Sequence, residues 1–138
     1  MKKYIISLLL LLICTLSLLA GDYVVIVNKS NPTGSISSAD LQNIYSGKKS
    51  SWADGKDISA SFNNNSSARD AFLKEGIKKT LPQYQTFWKK AVFTGTGTPP
   101  KEHDSDSAVK NYVSSNSHAI GFISSTSLDS SVKKLDIK

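Results

Sequence analysis

Ile58-Ser59-Ala60-Ser61-Phe62, then Asn63-Asn64-Asn65-Ser66-Ser67, then Ala68-Arg69-Asp70-Ala71-Phe72-Leu73-Lys74-Glu75-Gly76 is the stretch whose reading decides the fold. The first piece is a short strand candidate. The run of small polar residues breaks it, and the third piece has helix-forming composition, with Ser66 or Ser67 as the expected cap and Gly76 as the stop. A strand that passes through a polar loop into a helix start is a building unit of layered α/β domains.

The same alternation continues outward. Upstream, Tyr23-Val24-Val25-Ile26-Val27 is a β-branched run closed by Asn28-Lys29-Ser30-Asn31-Pro32, as expected of a buried strand entering a turn. Ser37 or Ser38 then caps a helix that places Leu41, Ile44 and Tyr45 on one face and stops at Gly47. The polar segment around Trp52 turns at Asp54-Gly55. Downstream, Pro82 opens a helix whose Tyr84, Phe87, Trp88 and Ala91 fall at helical spacing and are expected to form an aromatic core face. Gly95-Thr96-Gly97-Thr98-Pro99-Pro100 must be a loop. Asp104 or Ser105 caps a helix with Val109, Tyr112 and Val113; Ala119-Ile120-Gly121-Phe122-Ile123 reads as a strand, and residues 132–137 as a last one.

The first twenty residues stand apart. Met1-Lys2-Lys3 is a positive start, residues 4–19 are almost wholly apolar, and Leu18-Leu19-Ala20 ends on a small residue, the order of a cleaved secretory signal. The apolar run is shorter than the roughly 20 residues of a spanning helix, and no stop-transfer charges follow it. Cys14 follows Leu12-Ile13 inside that run, without the small residue that a lipid-anchored Cys requires before it. The expected division is a signal peptide at residues 1–20 and one domain at residues 21–138, exported to the periplasm with no membrane span after cleavage. The one Cys of the chain leaves with the signal, so the mature domain has neither a disulfide nor a thiol nucleophile and depends on its core.

The net charge of +6 comes with lysines in scattered pairs, at positions 48 and 49, 78 and 79, 89 and 90, and 133 and 134. They read as a solvated surface with a weak preference for anionic partners. No zinc-finger spacing, RNA-recognition motif or basic helix points to nucleic acid. His103 and His118 are the only histidines and lie in no ligand spacing, so both are expected on the surface or in loops and no metal or other cofactor is implied. No serine stands in G-x-S-x-G, and residues 95–100 lack the spacing of a dinucleotide or Walker loop. An enzyme is not expected.

Residues 63–67 offer a different chemistry. The first N–H groups of a helix have no intrahelical partner and lie at the positive end of its dipole, so an oxyanion can settle there. Ser66 and Ser67 add hydroxyls, and Arg69 adds charge if its side chain folds back. An ordinary serine cap with a solvated loop has the same composition.

The order Ser38-Ala39-Asp40-Leu41-Gln42-Asn43-Ile44-Tyr45-Ser46-Gly47-Lys48, Trp52-Ala53-Asp54-Gly55, the Asn/Ser loop before Phe72, Phe87-Trp88, Val92-Phe93-Thr94-Gly95, Pro99-Pro100 and Ala119-Ile120-Gly121-Phe122 resembles the phosphate-binding periplasmic proteins of ABC transporters. The resemblance runs over nearly all of the mature chain and fits one of their two lobes, the second. It implies one lobe of a type II periplasmic-binding-protein fold, with a mixed β-sheet flanked by helices. It also implies phosphate binding at a helix start through backbone N–H and hydroxyl groups. Carried over by position, Ser66 matches the loop serine, Ser67 the following glycine and Asn64 the aspartate, while Phe62 stands where an arginine is expected and Ala68 replaces a threonine. The resulting ligand set is Asn64, Asn65, Ser66, Ser67 and Arg69, with Arg69 substituting for the lost cation.

A lone lobe is expected to hold such an anion weakly. Three or four hydrogen bonds at about 1.5 kcal/mol each give roughly 5 kcal/mol, close to the roughly 4 kcal/mol of a millimolar dissociation constant. Tighter binding calls for a second lobe supplied by dimerisation, or for a transporter permease as partner. The alternative is a ligand-free interaction module of the same fold that docks on a cell-envelope partner.

Overall fold

The β-branched run beginning at Tyr23 forms β1 (Tyr23–Val27) and is buried along its second half, as a strand covered on both faces must be. The computed structural model describes residues 23–138; the signal peptide expected at residues 1–20 lies outside the described residues. After β1 come β2 (Ser35–Ile36), α1 (Ser38–Tyr45), β3 (Ser59–Asn63) and α2 (Ser66–Ala71), which widens into a π-type turn (Phe72–Gly76). Then follow α3 (Leu81–Thr94), β4 (Lys101–His103), α4 (Asp106–Ser115), β5 (Ala119–Ser124), a 3-10 turn (Ser125–Ser127), β6 (Lys133–Lys134) and β7 (Asp136–Ile137).

Five strands form one mixed sheet in the order β4-β3-β5-β1-β6. β3 runs parallel to β4 and β5, and β1 runs antiparallel to β5 and β6. The period-two alternation of side chains sends Val25, Val27, Phe62, Ile120 and Phe122 into the larger core with residues of α1, α2 and α3, while Ile26, Ala119 and Ile123 pack on Val109 and Val113 of α4. Helices therefore cover both faces, the α/β layering expected. At Gly121 helix α4 lies close on the sheet: a Cβ there would lie 2.7 Å from Val109 Cγ1 and 3.2 Å from Val113 Cγ2.

The larger core is aromatic. Phe72 stacks on Phe122 with ring centroids 3.8 Å apart, and Phe62 stacks on Tyr84 at 4.4 Å. The π-type turn serves this packing: Ile77 N–H reaches back five residues to the Phe72 carbonyl at 3.1 Å. Gly76 lets the turn close, since a Cβ there would stand 3.1 Å from both the Phe72 ring and the Tyr23 hydroxyl.

Several expectations need correction. The helix cap after the polar loop is Asn65, not Ser66 or Ser67, which lie inside the first turn. An asparagine oxygen on extended backbone reaches the N–H two residues on, and here it does so before either serine is needed. Phe87 does not join Tyr84, Trp88 and Ala91 in the core; it is 38% exposed, because the α3 face that meets the sheet is narrower than the aromatic spacing implies. Residues 132–137 are not one strand. β6 pairs with β1, Leu135 N–H donates to the Val25 carbonyl at 2.8 Å, and β7 then leaves to pair in parallel with β2 in a separate two-stranded sheet. His103 is not a loop residue: it ends strand β4, half-buried, and its Nδ1 shares a 2.7 Å hydrogen bond with the buried Ser61 hydroxyl.

Candidate functional site

The ends of β3 and β5 and the start of α4 converge behind residues 63–67. Asn63, the last residue of β3, is fully buried. Its Nδ2 donates to Asp106 Oδ1 at 2.8 Å and to the Phe122 carbonyl at 3.1 Å, and its Oδ1 accepts the Asn65 N–H at 2.9 Å. Asn65 caps α2 by accepting the Ser67 N–H at 3.3 Å, while its Nδ2 donates to Asp106 Oδ1 at 3.3 Å. The Asn64 N–H donates to the His103 carbonyl at 2.8 Å. The protein itself thus engages the amides of Asn64, Asn65 and Ser67; those of Ser66 and Ala68 have no acceptor among the described residues.

Asp106 organises the other side. It is the first residue of α4, where the helix dipole favours negative charge. Besides the two asparagines it accepts the Ser127 hydroxyl at 2.7 Å and the Ser124 N–H at 3.3 Å, both on Oδ2. Burial pushes its carboxyl up, but hydrogen bonds from Ser127, Asn63 and Ser124 outweigh burial and hold it below the usual carboxylate range. Asp106 is therefore an anion at neutral pH, tied to loop, strand and turn at once.

In front of this cluster Ser66 and Ser67 are exposed, and together with Asp70, Ala71 and Lys74 they line an open hollow of about 390 Å³. Arg69 Nε donates to Asp70 Oδ1 at 3.1 Å, so its guanidinium is bridged to its neighbour and is not folded onto the loop. Of the expected ligand set, the structure brings Asn64, Asn65, Ser66 and Ser67 together around the start of α2 and sets Arg69 aside on Asp70. Reasoning from the sequence placed Asn63 in the loop but not in the ligand set, and missed Asp106, Ser124, Ser127 and Lys74. An acidic residue in the first turn after a serine cap is so ordinary that nothing local marks Asp106.

His103, whose pKa is lowered by burial and by the Lys101 charge, faces Ser61 and not the serines of the hollow. No group of three or more His, Cys, Asp or Glu side chains able to hold a metal occurs among the described residues. No described helix is long and apolar enough to cross a membrane.

The pattern of the PBP superfamily domain matches residues 13–136, almost the whole chain. The chain belongs to that family. Solved structures similar to this PBP-like domain include an ABC-type phosphate transport receptor from Vibrio cholerae, at 23% identity and TM-score 0.63 over 84% of this chain and 46% of that one. A Clostridium perfringens protein described as a phosphate ABC transporter substrate-binding protein, solved with bound phosphate, superposes at TM-score 0.67 and 23% identity over 84% and 44%. PstS from Borrelia burgdorferi gives 0.61 and 19% over 85% and 47%. The PBP-like domain spans less than half the length of these structures, which is the extent of a single lobe. No curated protein matches the chain.

Proposed function

We propose that this PBP-like domain is an exported, non-enzymatic lobe that binds phosphate or a similar oxyanion weakly, at Asn64, Asn65, Ser66, Ser67 and Arg69. The observation that carries the reading is the open start of α2, where two exposed serines, with the Ser66 amide unengaged, line a hollow together with Lys74. Its setting is a lobe whose two-lobed structural relatives include one described as solved with bound phosphate. Arg69 joins the anion only by leaving Asp70. The Asp106 carboxylate lies just behind and opposes a dianion, which keeps the affinity of the lone lobe in the millimolar range or weaker. A second lobe supplied by dimerisation, or an ABC transporter permease as partner, would cover the anion and exclude water from it.

Titration calorimetry of the protein with phosphate, sulfate and a neutral sugar tests this. Heat with an anion and none with the sugar, abolished by Ser66→Asp, is the expected result; silence with both anions up to about 10 mM removes the binding claim.

A second reading is an interaction module that kept the fold and lost the ligand. It is favoured by the way Asn63 and Asn65 turn their donors to Asp106 and away from the hollow. Under that reading calorimetry stays silent, and Ser66→Asp leaves docking on a cell-envelope partner unchanged.

A further inference from the structure

β4 is an edge strand, hydrogen-bonded to β3 on one side only. Along a strand in parallel pairing, successive residues turn both N–H and C=O to alternate sides. The His103 carbonyl accepts the Asn64 N–H at 2.8 Å, and the register pairs Ser61 with Lys101 and Asn63 with His103. Lys101 and His103 therefore face β3, and Glu102 between them presents its N–H and C=O to the open edge. No described residue takes up either group.

Beside this edge runs an apolar groove of about 900 Å³, walled by Trp88, Val92 and Phe93 of α3 and by Pro99 and Pro100. Phe93 is 91% exposed and Val92 56%, so two large side chains of one helix end stand in water next to an unpaired strand. Both signs of charge border the groove, Lys89 of α3 standing in its lining with Glu102. Glu102 lies on the groove side, since its register partner Phe62 stacks on Tyr84 of α3. Lys101 lies on the other side, 5.5 Å from the centre of the Tyr112 ring of α4.

We propose that this edge and groove receive an extended segment of another protein, added antiparallel to β4. The segment carries a basic residue opposite Glu102, then an acidic residue opposite Lys101, then an apolar residue that enters the groove at Pro100. Antiparallel addition follows from the single outward residue, because one partner residue can exchange both hydrogen bonds with Glu102. The order of side chains follows from the period of two, which returns every second residue to the groove face. A second copy of the chain fits badly: β4 paired on itself sets Glu102 opposite Glu102, and like charges directly opposite are repulsive. Pro100, the next residue of the same parity, has no N–H to offer another register.

The probe is a blocked pentapeptide with the central order lysine, glutamate, leucine, titrated into the full chain as isolated from the cell and followed by Trp fluorescence and calorimetry. Saturable binding below about 1 mM is expected. Glu102→Lys weakens it about fivefold, and replacing the peptide lysine by glutamate restores affinity for that variant. Methylating the lysine backbone nitrogen removes the N–H that Glu102 accepts and abolishes binding. Both changes fall at the exposed edge, and matching circular dichroism of the variant confirms its fold. Equal affinity for the N-methylated peptide, or no response to Glu102→Lys, overturns strand addition. Sedimentation that finds a dimer broken by Phe93→Ser overturns it in favour of a second copy.

Discussion

Replacing Asp106 by alanine removes the one group that four separate parts of the site share. Its Oδ1 accepts from Asn63 and Asn65, and its Oδ2 from the Ser127 hydroxyl and the Ser124 N–H. The loss is unequal among these donors. Asn65 and Ser127 are only half-buried and turn to water, and Asn63 Nδ2 keeps the Phe122 carbonyl. At about 1 kcal/mol for each bond lost, with part recovered from water, Asp106→Ala is expected to destabilise the fold by about 2–3 kcal/mol at pH 7. That is a large share of the roughly 5–15 kcal/mol typical of a domain. Urea unfolding of both proteins reads it directly, as a shift in midpoint at unchanged slope. Because folding lowers the Asp106 pKa, its contribution is complete above the unfolded carboxylate value and disappears as pH falls through the folded value. The gap between the two proteins must therefore narrow below about pH 4. A loss under about 0.5 kcal/mol at pH 7, within the range of ordinary surface changes, would refute the role given to this carboxylate.

Two further outcomes are expected. Gly121→Ala places a methyl group 2.7 Å from Val109 Cγ1 and should lower stability by about 1–3 kcal/mol in the same unfolding assay, with Gly121→Ala/Val109→Ala recovering part of it. His103 titrates below the ordinary imidazole value, through burial and the Lys101 charge, so protonation favours the unfolded chain. Stability should decline as pH falls below about 6.5, and His103→Gln, followed by thermal melts between pH 5 and 8, should flatten that decline.

The helices were legible because their signals are local. Ser37 accepts the Asp40 N–H at 3.0 Å and opens α1, and the left-handed Gly95 closes α3. The buried strands β1 and β5 were equally plain from β-branched and apolar runs. Short pairings were not: β2 and β7 hold two residues each, too few for a period, and β4 reads Lys-Glu-His, which no hydrophobic pattern marks. The polar loop was found, but its internal wiring was hidden, since Asn63 and Asp106 meet across 43 positions. Serine looked like the cap because only the three-dimensional path of the backbone decides which of Asn65, Ser66 and Ser67 has extended dihedral angles.

The central strand β1 comes first among the described elements, yet both of its neighbours, β5 and β6, are drawn from the final fifth of the chain. A polypeptide emerging from the ribosome has no partner for β1 until β5 and β6 have been made, and closing so long a loop is slow. Such a chain stays threadable while it is being made. Its topology delays collapse until β5 and β6 have followed.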